Sequence, residues 1–232
     1  MFKKFFSILL IIFLSFCKKE IPTLDYDRSK LPANKEKLDI VELYRILPYK
    51  VFNDHRIPLE QKESILKTKA EIDETTGNPQ KWGYQIINKA NGFLSITKPG
   101  YGDYLKAEFA VWRKVDKNSI VGINSFEGFQ SYPVISFYEF RSDEWIDVTN
   151  QIFPGLQQSE FYKLNPSGLE IESLQKVKEI LYLCSLPEKG FTITCNLYGD
   201  YLEHLGDSQI YDIYFDWDNE KFEKRIQKNT YL

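Results

Sequence analysis

From Trp82 onward the chain keeps a period of two, and this constrains its fold more than any other feature. Gly83 to Ile87 and Phe93 to Thr97 flank the turn Asn88-Lys89-Ala90-Asn91-Gly92, which predicts a β-hairpin. Lys106 to Val115 alternates, with Ala107, Phe109, Val111 and Val115 expected to face inward and Lys106, Glu108 and Lys114 outward. Asp116-Lys117-Asn118 turns that strand into Ser119 to Asn124. Pro133 to Arg141 and Trp145 to Thr149 make a further hairpin around Ser142-Asp143-Glu144, and Ile152-Phe153-Pro154-Gly155 ends this sheet. Later strands are expected at about 191 to 197, 209 to 217 and 222 to 227. With 15 Tyr, 17 Phe and 4 Trp against a single Met, the side chains suit a pleated surface.

Three helices interrupt this pattern. Lys35 to Leu47 carries Leu38, Val41, Leu43 and Leu47 and stops at Pro48. Leu59 to Ile72 opens after Pro58 and holds Ile65, Leu66 and Ala70 inside. Leu169 to Cys184 has the stripe Ile171, Leu174, Val177, Leu181 and Cys184 at helical spacing. The fold class is therefore α+β, mainly antiparallel β-sheet with three helices. Residues 38–232 read as one domain, with 38–155 and 166–232 as candidate halves.

A repeat runs through the strands. Gly92-Phe93, Ile96-Thr97 and Tyr101-Gly102-Asp103-Tyr104-Leu105 return as Gly190-Phe191, Ile193-Thr194 and Tyr198-Gly199-Asp200-Tyr201-Leu202. Each copy is followed by a strand, a short polar turn and a second strand, so residues 92–124 and 190–227 are expected to be a duplicated β unit. Each Tyr-Gly-Asp-Tyr segment suits turn chemistry, with Gly free to take positive φ and Asp bonding nearby amides. The sharper alternative is a ligand cleft lined by Tyr101, Tyr104, Tyr198 and Tyr201, with Asp103 and Asp200 as polar contacts for a glycan or peptide.

Other constellations say less. Asp212, Tyr214, Asp216 and Asp218 share one side of a strand, which reads as a solvated, aggregation-resistant face and lacks the spacing of a calcium loop. Ser64-Ile65-Leu66-Lys67 fits Ser-x-x-Lys, but no companion motif follows it. His55 and His204 are the only histidines and lie far apart, so neither a metal nor a catalytic triad can be read from them. No catalytic residue, metal ligand or cofactor is assigned. Cys184 and Cys195 are both expected to face the core. They are either bridged, closing a short loop worth about 2 to 3 kcal/mol, or two buried thiols acting as small hydrophobes.

The N-terminus bears on location. Lys3 and Lys4 precede an apolar run from Phe5 to Phe13, and Leu14-Ser15-Phe16-Cys17 then leads into Lys18-Lys19-Glu20. The run is too short for a stable membrane span and resembles a bacterial lipoprotein signal peptide, although Phe16 stands where the common box has Gly, Ala or Ser. The resemblance implies that residues 1–16 are removed, Cys17 is lipidated, and residues 17–37, with Pro22 and Pro32, act as a polar tether. Lys18 is not the Asp that marks inner-membrane retention, which points to the outer membrane. The stretch Leu186-Pro187-Glu188-Lys189-Gly190-Phe191 with Phe215-Asp216-Trp217 and Phe222 resembles the C-terminal part of small exported bacterial proteins, a resemblance that implies no activity.

With 30 Lys and Arg against 33 Asp and Glu, the net charge of −3 argues against nucleic acid as a partner. The sequence thus reads as a cell-envelope lipoprotein, a non-enzymatic binding or structural module that meets the membrane through its lipid and a protein or glycan through its domain. The alternative is an envelope hydrolase with a non-local active site.

Overall fold

The computed structural model describes residues 25–33, 37–70, 81–98, 105–127, 132–163, 181–198, 205 and 208–229. Its first sheet is an antiparallel meander in chain order: β1 (Gly83–Asn88), β2 (Phe93–Lys98), β3 (Leu105–Arg113), β4 (Ser119–Glu127), β5 (Val134–Arg141) and β6 (Glu144–Asp147). Before it come α1 (Ile40–Arg45), α2 (Tyr49–Asp54) and α3 (Lys62–Ile65). After it come α4 (Thr149–Ile152), the short β7 (Tyr162–Lys163), β8 (Leu181–Ser185), β9 (Ile193–Tyr198), β10 (Gln209–Asp218) and β11 (Lys221–Lys228). Strands β8 to β11 form a second antiparallel meander, with β7 added to β10. The protein is α+β and mostly antiparallel sheet, with four short α-helices among the described residues where the sequence reading expects three longer ones.

The first sheet is a middle layer. One face carries Leu94, Ile96, Ala107, Phe109, Val121 and Ile123, which pack against Leu43, Tyr44 and Phe52 of α1 and α2. The other face carries Phe93, Ala110, Trp112, Ile120 and Phe137, which pack against Ile193, Ile213, Phe215 and Phe222 of the second sheet. Gly122 makes this packing fit, because a Cβ there would stand 2.6 Å from Trp112 Cζ3 and 2.7 Å from Phe137 Cε1. Trp112 meets Phe222 edge to face at 5.2 Å, a favoured arrangement for aromatic pairs.

This layering corrects the reading of β3. Glu108, expected outside, is 4% exposed, because the supposed polar face is covered by the second sheet. Its carboxylate accepts from the Leu186 backbone amide at 2.8 Å and pairs with Lys106 at 2.7 Å. Burying a charge without such partners would be costly. Asn124, beside it on β4, donates to the Cys184 carbonyl at 2.7 Å. Val115, expected inside, lies in the turn beyond β3 and is 92% exposed. Lys114 reaches back instead to Glu139 and Glu220, at 3.3 Å each, joining the two sheets at their rim.

The helices are corrected too. Asp39 caps α1 through the Val41 and Glu42 amides while Glu42 returns to the Asp39 amide, so this capping box places the start later than Lys35. Pro48 does not only stop a helix; it stands at the N-cap of α2. The expected helix from Leu59 is a 3-10 turn followed by α3, and beyond it Lys69 bridges to Tyr84. Leu181 to Cys184, expected to end a helix, belong to strand β8, and the rest of that helix lies outside the described residues.

The repeated segments share a strand order, β2-β3-β4 and β9-β10-β11. Register and facing differ. Ile96 pairs with Ala107, whereas its counterpart Ile193 pairs with Phe215 across a much longer connection. Ile96 faces the helices while Ile193 faces the first sheet, and Phe93 is 3% exposed where Phe191 is 61% exposed.

Candidate functional site

A cleft opens where the end of α2 meets the β4–β5 end of the first sheet, and it is lined by Asp54, His55, Arg56, Leu105, Ser125, Phe126, Glu127, Tyr132 and Val134. The local sequence builds its floor. His55 closes α2 as its C-cap, and Arg56 follows with φ 54°, in the left-handed region, as the Ile57 amide turns back to the Phe52 carbonyl at 2.7 Å. That is the helix-ending geometry in which Gly is the usual residue. The turn aims the His55 ring down onto the helix-facing side of the sheet.

There the ring lies between two serines. Nδ1 is 2.7 Å from Ser125 Oγ on β4, and Nε2 is 2.7 Å from Ser136 Oγ on β5. A neutral imidazole satisfies this arrangement, donating through one nitrogen and accepting through the other. Burial pushes its pKa down to about 4, with the Asp54 carboxylate opposing and the Lys50 ammonium adding to the shift.

The rim combines charged and apolar side chains. Arg56 forms an ion pair with Glu127, and Lys50 pairs with Asp54. Tyr132 and Val134 are 43% and 47% exposed. Tyr132 rests against Tyr182 with ring centroids 5.2 Å apart, and Tyr182 stacks on Phe161 at 5.0 Å, so the exposed ring is backed by an aromatic row that starts in the core. The cleft encloses about 130 Å³.

Chemically, Ser125 and His55 form a hydroxyl–imidazole pair of the kind that nucleophilic catalysis uses. The rest of such a site differs. A serine hydroxyl, Ser136, stands where an orienting carboxylate would stabilise a developing imidazolium, and a ring with pKa near 4 is a weak base at neutral pH. Ser125 is 5% exposed. The arrangement suits a buried polar tie between helix and sheet.

Of the residues singled out from sequence, Cys17, Tyr101, Asp103, Tyr104, Asp200 and Tyr201 lie outside the described residues, as does His204. Tyr198 ends β9, paired across the ladder with Leu181 and 36% exposed. Leu105, next in the chain to Tyr104, lines the cleft. Cys184 and Cys195 face each other on β8 and β9 with Cα atoms 4.1 Å apart and are joined as a disulfide. Cys184 thus reaches the core from a strand and not from a helix. Asp216 in the acidic row accepts from Arg225 at 2.8 Å and from Thr192 at 2.8 Å. No group of three or more potential metal ligands occurs among the described residues. Ser64 donates to the Gln61 carbonyl at 2.8 Å, a local turn contact.

The His55 site escapes sequence reading because Ser125 and Ser136 lie 70 and 81 residues away. The one local signal is a non-glycine residue, Arg56, just after a helix end. Comparison of the chain with protein-family models, with curated proteins and with solved structures finds no match.

Proposed function

We propose that this chain is a cell-envelope lipoprotein: a non-enzymatic binding or structural module held at the membrane, on the outer-membrane side of the envelope, by a lipid on Cys17. The observation that carries the reading is the single cysteine at the end of the apolar run, followed at once by a polar segment. The Cys184–Cys195 disulfide supports it, since such bonds persist in oxidising compartments. No helix among the described residues is long and apolar enough to cross a membrane. The domain offers a protein or glycan partner its cleft and sheet surfaces.

Mass spectrometry of the mature N-terminus tests this. An acylated Cys17, with a Cys17→Ser variant released from membranes, is the expected result, and an unmodified chain beginning elsewhere overturns it.

The second reading, an envelope hydrolase, rests on the Ser125–His55 contact alone. A fluorophosphonate probe decides between the two: labelling of Ser125 that disappears in His55→Gln would replace the binding module with the enzyme, and an unlabelled Ser125 supports the module.

A further inference from the structure

We infer that the cleft beside α2 is a subsite for one neutral sugar ring of a glycan, with Tyr132 as its platform and the Arg56–Glu127 pair as its hydrogen-bonding edge. This rests on the reading of the domain as a binding module and names the chemistry of its ligand.

Size comes first. About 130 Å³ is small beside most ligand cavities. It is comparable with the engineered cavity of about 150 Å³ that takes up benzene, so the open cleft has room for the body of one six-membered sugar ring, with its outer hydroxyls left in solvent.

Polarity separates a sugar from an arene. A pyranose has an apolar face of C–H groups and a periphery of hydroxyls. The cleft supplies both kinds of group: the exposed Tyr132 ring with Val134, and the charged planar side chains of Arg56, Glu127 and Asp54. A purely apolar ring would strip water from Arg56, Glu127 and Asp54 without replacing their hydrogen bonds.

Charge excludes the ionic alternatives. Each charge in the lining has an opposite partner, Arg56 with Glu127 and Asp54 with Lys50 just outside it, and His55 is neutral, so no charge is left waiting for an ionic ligand. Paired carboxylate and guanidinium groups instead offer acceptors and donors side by side, which is what adjacent hydroxyls require.

The backbone supplies a separate observation. Among the described residues, the non-glycine ones with positive φ are Arg56, Lys117, Ser142, Asp143, Asn219 and Glu220. All but Arg56 sit in strand-connecting turns, where the hairpin geometry calls for that conformation. Arg56 ends a helix where Gly would relax the chain, and its guanidinium is what the position gains by holding Arg. Tyr132 is likewise pre-placed by the Phe161–Tyr182 row, which lowers the cost of ordering a platform on binding.

Saturation-transfer NMR on the full-length protein in detergent micelles, with cellotriose, chitotriose and phenol as probes, tests the assignment. Transfer to the ring protons of at least one trisaccharide, with little to phenol, is expected. Tyr132→Ala should weaken that binding about tenfold, the loss of one stacking contact. Arg56→Gly should weaken it comparably while the protein stays at least as stable, because the substitution relaxes the backbone as it removes the donors. Absence of transfer to both trisaccharides, stronger transfer to phenol, or binding unchanged by both substitutions would overturn the subsite. Any of these with an acylated Cys17 leaves the anchored-module reading standing, whereas an unmodified N-terminus defeats that reading whatever the sugars do.

Discussion

Acidification should destabilise the fold through His55. Its ring is 1% exposed and neutral in the folded protein, and burial holds its pKa at about 4 against an ordinary value of 6.5. The unfolded chain therefore binds a proton near pH 6.5 that the folded chain refuses until about pH 4, so stability is complete above the higher value and is lost as pH falls through this window. Between about pH 7.5 and about pH 4.5 the loss from this one group is about 2.5 kcal/mol. The charged neighbours Lys50, Asp54, Arg56 and Glu127 are paired with one another and leave the burial effect in control. Urea unfolding of the wild type and of His55→Gln at both pH values isolates it, because carboxylate titration is common to the two proteins. The variant should start less stable at neutral pH, with the gap closing by about 2.5 kcal/mol at the acidic one. Parallel stability curves would refute the buried neutral histidine.

Three further variants probe the layers. Gly122→Ala should destabilise by about 1 to 3 kcal/mol in urea unfolding, because its methyl has to displace Trp112 and Phe137 in the core; equal or higher stability would mean that the two rings can move aside. Replacing Cys184 and Cys195 together by Ala should cost about 2 to 3 kcal/mol, and the wild type denatured without reductant should show neither thiol to an alkylating reagent; both thiols reacting would disprove the bridge. Glu108→Gln should cost about 1 to 3 kcal/mol by weakening the contacts with Lys106 and the Leu186 amide, with an unchanged unfolding midpoint as the contrary result.

The hairpins were legible because turn chemistry is local. Asn88 to Gly92 connects β1 and β2, and Ser142-Asp143 sits between the paired Arg141 and Glu144 with both φ positive. The second layer was not legible. Period two reports that the faces of a strand differ, not that both are covered, so Glu108 and Lys114 looked solvated although one is buried and the other reaches a carboxylate on each sheet. The stripe ending at Leu181 and Cys184 had helical spacing, yet these residues pair with Tyr198 and Cys195 across a ladder, a case of tertiary context overriding a local pattern. Tyr198 could be placed at a strand end from sequence. The His55 contacts could not, because no periodicity connects a helix cap with two serines on distant strands.

The middle position of the first sheet has a consequence for biogenesis. Phe93, Trp112, Ile120 and Phe137 are made well before the residues that cover them, Ile213, Phe215 and Phe222. A chain emerging in order carries a broad oily surface until the β10–β11 hairpin docks, so that surface invites chaperones, or partner chains, in the interval. A premature stop just before β11 would leave Trp112 and Phe137 without the Phe222 ring they pack against.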